Sequence, residues 1–304
     1  MMDVDRSTMH VATMNLVVFV DDPGHREWVV ERAQRLAAKH PCRFVLLDAS
    51  GGTAGVAIDG TRHDVGVANL DAAAIASLAR EHTVADVPTI LWWNGTGLLE
   101  SDAFARLVED AQTVVVDSSG LERGRARIGE LGTFLARYPG VVLHDLAFLR
   151  LGPWMDMIAQ FFDDPALRED LFSISSLRVV SGSEAEAYYL SGWLGSRLSW
   201  QPLDANTFSA HGGRTVRVEQ EVKGDMRRVL RVVLESDDST YSAALSDLDP
   251  YTVCLSVSGA KAKPTRCAPL QNVDNISLIE RALLKNAHDQ IFETSLETVR
   301  KLLD

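Results

Sequence analysis

The sequence predicts an α/β protein in two domains: a Rossmann-like, doubly wound and mostly parallel sheet over residues 1–165, then an α+β domain over 166–304 with an antiparallel sheet and C-terminal helices. Three observations carry that expectation. Continuous apolar runs alternate with stretches of helical spacing through residue 116, the pattern of β-α-β units around a sheet buried on both faces. Beyond Pro202 the chain becomes strand-rich, and it closes on two helical segments. A length of 304 residues also favours two domains over one.

Taken in order, Asn15 to Val20 is β-branched and apolar, and Asp21-Asp22-Pro23 supplies a cap and a first-turn proline for a helix over Arg26 to Lys39. Arg43 to Leu47 is the second strand, parallel to the first, and Ser50 to Gly60 reads as a glycine-rich turn region. A helix over Asp71 to His82, a strand over Val87 to Trp93, a helix over Ser101 to Ala111 and a strand over Thr113 to Val116 continue the alternation. From Asp145, which reads as an N-cap, a long amphipathic segment runs to Phe162, with Pro153 as its early kink or restart, and closes the first domain.

In the second domain, Ser173 to Ser181 is a short strand and Glu184 to Trp200 a helix that is apolar or small nearly all round, hence buried. Thr215 to Val222 and Arg228 to Leu234 are separated by Lys223-Gly224-Asp225, which reads as a hairpin connection. Tyr251 to Ser258 adds a strand, and helices over Ser277 to Ala287 and Ile291 to Leu303 end the chain.

Thirty Lys and Arg against 42 Asp and Glu give a formal charge of −12, so the surface repels phosphate backbones and anionic lipid. No nucleic acid and no membrane partner is expected, no apolar run reaches membrane-spanning length, and the first fifteen residues lack a signal peptide; the expected location is the cytoplasm. Cys42, Cys254 and Cys267 match neither a disulfide framework nor a zinc pair, and are expected to be reduced structural thiols.

A parallel α/β domain invites a nucleotide-binding reading. The first strand-to-helix turn, Val20-Asp21-Asp22-Pro23-Gly24-His25, instead offers one glycine and two carboxylates to a pyrophosphate, and neither GxGxxG nor a P-loop occurs. His40, His63, His82, His144 and His211 stand without a nucleophile or metal-ligand partner at motif spacing. The expectation is therefore no catalytic residue, no metal and no cofactor.

The positive signal is aromatic. Trp92 and Trp93 close a strand at the C-terminal edge of the parallel sheet, where ligands and partners dock, and as strand neighbours they point to opposite faces, so that at most one is easily core. Trp154, Ile158, Phe161 and Phe162 share one side of a helical segment. Wherever they are exposed, these six are the candidates for partner binding; otherwise they are core.

The runs His40-Pro41-Cys42-Arg43, Val87 to Trp93, Val115 to Ser119, Asp145-Leu146-Ala147 continuing to Pro153-Trp154, Gln160 to Asp163 and Gly192 to Trp200 together resemble the OpcA family of glucose-6-phosphate dehydrogenase assembly proteins. Asn94 and Met155 stand where the family pattern carries basic residues. The resemblance implies a non-catalytic cytosolic protein that binds glucose-6-phosphate dehydrogenase and promotes its active oligomer, serving NADPH supply in the oxidative pentose phosphate pathway. The competing expectation is an α/β enzyme or ligand sensor handling a sugar phosphate or nucleotide.

Overall fold

A computed structural model describes residues 12–50, 55–58, 61–63, 71–120, 124–224, 228–271, 275–285 and 287–303. The chain forms two compact units, one within residues 1–116, 140–143 and 282–286, the other within 117–139, 144–281 and 287–304. These units group 117–139 and 144–165 with the second.

In the first unit, β1 (Met14–Val20) leads into α1 (Pro23–Lys39), which Asp22 caps by accepting from the Gly24 amide, with Pro23 in the first turn. β2 (Cys42–Asp48) pairs parallel with β1. The stretch read as a turn holds β3 (Gly55–Ile58), antiparallel to β2, and is followed by β4 (Thr61–His63), antiparallel to β3. Its glycines hid short β-branched runs, since three or four residues are too few to show a period.

α2 (Ala72–His82), capped by Asp71, precedes β5 (Thr89–Asn94), parallel to β1; then come α3 (Asp102–Val108), capped by Ser101, and β6 (Thr113–Val116), parallel to β5. Also unread in the sequence are α4 (Gly124–Arg137) and β7 (Val142–Asp145). The full order is β4-β3-β2-β1-β5-β6-β7. The expected amphipathic segment is broken into α5 (Leu146–Leu149), α6 (Gly152–Ala159), a 3₁₀ turn over 160–163 and α7 (Pro165–Arg168). Pro153 and Pro165 stand at first-turn positions, so that of the two alternatives for Pro153 the restart is the one found.

The second unit holds β8 (Ser176–Ser181), α8 (Glu184–Arg197), β9 (Gln201–Asp204), β10 (Thr207–Ser209), β11 (Thr215–Val222), β12 (Val229–Glu235), β13 (Ser239–Leu245), β14 (Thr252–Gly259), β15 (Lys263–Pro269), most of α9 (Asn275–Leu284) and α10 (Gln290–Leu303). The strands order as β15-β14-β13-β12-β8-β11-β10-β9. The hairpin expected at Lys223-Gly224-Asp225 is not one: β8 lies between its two strands, parallel to β11 and antiparallel to β12. Leu177 and Val179 make β8 the more buried strand, and it takes the centre.

One face of this sheet is core, with Val179, Val218, Val232, Leu234 and Tyr241 buried. α8 packs on β8 and β11, and α10 packs on α8. At Gly192 a Cβ would meet Val299 Cγ2 at 2.4 Å and the Ser295 carbonyl at 2.5 Å, so only glycine permits that helix–helix approach. A second correction concerns the cysteines. Cys254 and Cys267 stand directly opposite in the β14–β15 ladder and are joined as a disulfide; Cys42 takes no part in one. Hairpin pairing brings together two residues whose wide sequence spacing matches no motif.

Candidate functional site

The C-terminal edge of the parallel sheet, where open α/β sheets bind ligands, is the first place to look. There Asp21 turns both carboxylate oxygens to the Thr96 amide, at 2.9 and 3.1 Å, tying the turn after β1 to the loop after β5. Asp22 is spent on the first turn of α1. Asp48, at the end of β2, accepts from Arg26 and from the Ser50 amide and hydroxyl. Burial works to raise its carboxyl, but those hydrogen bonds outweigh it and hold the group below its ordinary value. The loop 94–97 closes over Trp93, whose indole N–H donates to the Gly97 carbonyl at 2.7 Å, and a Cβ at Gly95 would lie 2.3 Å from that ring. Carboxylates bonded to the Gly24, Ser50 and Thr96 amides stand at this edge, an arrangement that repels a phosphate and engages N–H groups it would need.

A second constellation follows β6 and β7. Asp145, fully buried, ends β7 and caps α5: Oδ1 accepts from the Ser118 and Ala147 amides at 3.0 and 2.9 Å, and Oδ2 from the Tyr189 hydroxyl at 2.6 Å. Arg150 donates to Asp117 at 2.8 Å, to Ser119 at 3.0 Å and to Glu186 at 3.4 Å. Glu186, on α8 and fully buried, also accepts from Ser183. Burial and the Asp117 charge push the Asp145 carboxyl up, and burial likewise raises Glu186 against the pull of Ser183 and Arg150. Chemically this is a network of acceptors around one guanidinium, with each carboxylate already bonded. It holds the start of α5 and one side of α8 in register. No motif spacing pointed to it, since its members come from three segments, 117–119, 145–150 and 183–189; only Asp145 was readable, as a helix cap.

The six aromatic and aliphatic candidates are all buried, and the exposure that would have made them a docking surface is not found. Trp92 and Trp93 are 0% and 2% exposed, and Trp154, Ile158, Phe161 and Phe162 lie between 1% and 7%. Trp93 stacks on Phe19 at 4.2 Å and meets Phe104 edge-on, while Trp92 meets Trp28 of α1 edge-on. Phe161 and Phe162 pack on Tyr241, 5.5 and 4.9 Å between ring centres. A parallel sheet covered on both faces makes core of both strand neighbours, so opposite directions did not imply that one was exposed.

Among the described residues no helix is long and apolar enough to cross a membrane, and no group of three or more His, Cys, Asp or Glu is placed to hold a metal.

Comparison with known proteins gives two family matches. The N-terminal domain described for a glucose-6-phosphate dehydrogenase subunit, the OpcA assembly domain, matches residues 33–132, and the corresponding C-terminal domain matches residues 141–296. The "Putative OxPP cycle protein OpcA" of Synechococcus elongatus is 24% identical over 250 residues, covering 74% of this chain and 56% of that protein. The protein of that name from Nostoc punctiforme is 32% identical over 122 residues, 40% of this chain and 26% of its own length. The chain therefore matches about half or less of the length of these relatives. Among solved structures it is similar to a 3-ketoreductase from Actinomadura kijaniata in complex with TDP-benzene and NADP, with a TM-score of 0.56, 11% identity and coverage of 97% and 96% of the two chains. A putative NADPH-dependent oxidoreductase from Desulfitobacterium hafniense gives 0.54, 10%, 97% and 93%. At such identities the likeness is one of fold.

Proposed function

We propose, since this chain belongs to the OpcA family of glucose-6-phosphate dehydrogenase assembly proteins, that it is a non-catalytic cytoplasmic partner which binds glucose-6-phosphate dehydrogenase and promotes its active oligomer. The observation that carries this reading is the pair of family matches, which follow one another along most of the chain. The crevice chemistry agrees: an oxidoreductase of this fold would need donors for a pyrophosphate where Asp21 and Asp22 stand. With Trp92, Trp93, Trp154, Ile158, Phe161 and Phe162 in the core, the docking surface lies elsewhere on the molecule.

The test is to mix the purified chain with glucose-6-phosphate dehydrogenase from the same source and follow mass by light scattering alongside turnover. A larger dehydrogenase assembly that contains this chain, with raised dehydrogenase activity, is the expected result. Unchanged mass and rate at micromolar concentrations of both would end the reading.

A further inference from the structure

We propose that the uncovered face of the second sheet holds a binding site for a small phosphate-bearing metabolite, seated on Arg228 and Arg231. The site begins with an irregularity in β12. Val229 is buried and pairs with Ser181, and strict alternation from there would turn Arg231 into the core. Instead the register shifts between Val229 and Arg231, with Arg231 opposite Val180. The extra residue leaves both Leu230 and Arg231 on the outer face, beside Arg228, while Val232 and Leu234 return to the core. Bulges of this kind re-aim side chains, and this one gathers two guanidinium groups on one side.

Those groups line an open concavity of about 450 Å³, a volume in the range of metabolite sites. Its charged lining is Arg178, Lys223, Arg228 and Arg231 against Glu221 and Asp247, a basic balance on a chain of net charge −12. Glu221 is already engaged by Arg178 and Lys223, at 2.8 and 2.9 Å. Arg228 and Arg231 have no ion pair among the described residues, and the buried Nε of Arg228 has no hydrogen-bond partner there. A buried, unbonded guanidinium nitrogen is costly unless something supplies the acceptor. Two uncommitted planar forks suit a phosphate monoester, whose three oxygens accept in pairs. Val180, Val233 and Ala244 give an apolar floor for the uncharged part of the molecule. The concave shape, with the 246–250 loop contributing Ser246, Asp247 and Pro250, fits a small ligand better than a flat protein patch.

Calorimetric titration of the full chain with glycerol 3-phosphate tests this, with succinate as the carboxylate counterpart. Saturable binding of the phosphate is expected, weakened about tenfold or more in Arg231→Ala and in Arg228→Ala, and only partly in Arg231→Lys, which keeps the charge but loses the fork. Arg106→Ala, on the exposed side of α3, should bind as the parent does, and melting curves of all variants should coincide. Absence of saturation overturns the proposal, as does parental affinity in the double alanine variant or equal affinity for succinate. Loss of dehydrogenase binding in that variant, with no phosphate binding by the parent, would assign the face to the protein partner instead.

Discussion

Tyr189 shows how much of this fold rests on single polar contacts. Its hydroxyl donates to Asp145, which is fully buried and already carries two amide hydrogen bonds, so Tyr189→Phe removes a donor from a carboxylate that water cannot reach. The expected cost is about 1–3 kcal/mol at neutral pH by urea denaturation. Its pH dependence has a definite sign. The Asp145 carboxyl is already raised by burial and Asp117, and the tyrosine bond lowers it, so the variant raises it further. Below the ordinary aspartate value the group is protonated folded and unfolded, and the tyrosine bond matters least. The penalty therefore grows as pH rises through the elevated titration and shrinks as pH falls. A penalty that stays flat with pH would mean that Asp145 does not titrate in this range. The groups facing Asp145 and Tyr189, namely Asp117, Glu186 and Arg150, are unchanged in the variant, so the difference isolates the one bond. Residue by residue, caps were the legible part: Asp22 and Asp145 accept from first-turn amides as read, and Asp71 and Ser101, read as the first residues of their helices, prove to cap them. Burial of aromatic residues was not, because Trp92 and Trp93 read the same whether helices cover one sheet face or both.

At the level of elements, the edge hairpin β14–β15 is the place where local sequence says least and a covalent bond says most. β15 is exposed along nearly its whole length, so little apolar burial holds it. The Cys254–Cys267 disulfide closes a loop of 13 residues, for which the loop-entropy argument gives a stabilisation of about 2–3 kcal/mol. Cys254→Ser should lower stability by about that amount and speed amide exchange in β15, with the buried strand β8 affected only through global unfolding. Reduction of the parent with dithiothreitol should reproduce both effects, and a variant with parental exchange in β15 would show that the ladder alone suffices. The contrast with α8 is instructive. Its all-round apolar and small character announced a buried helix, and ten of its residues are buried. The position of β8 between β11 and β12 was not announced, because a tight connection such as Lys223-Gly224 signals a turn and says nothing about which strand later fills the gap. Long-range pairing of that kind is set by which strand has most to bury, and a local pattern does not carry it.

For the whole molecule, the carboxylates after β1, bonded to their own amides, decide what the C-terminal edge of the first sheet can hold. The likeness to NADP-bound reductases is one of fold, and in parallel α/β sheets that bind dinucleotides the pyrophosphate lies at the turn after the first strand. In such a site the helix N-terminus and a glycine-rich turn present free N–H groups to the anion. Here the Gly24 amide is bonded to Asp22 and the Thr96 amide to Asp21, and both acceptors carry negative charge. Binding a dinucleotide would mean breaking those bonds and setting two carboxylates against two phosphates in a chain of net charge −12. The resulting expectation is that NADPH titration, read by enhancement and blue shift of nicotinamide fluorescence, gives no saturable binding up to millimolar concentrations, for this chain alone as well as for Asp21→Asn. Phosphate binding on the outer face of the sheet in the second unit, if found, should leave that result untouched, since none of its residues belongs to this crevice. Micromolar, saturable NADPH binding by the parent would instead restore the enzyme reading, because the fold would then be holding the cofactor that its structural neighbours hold.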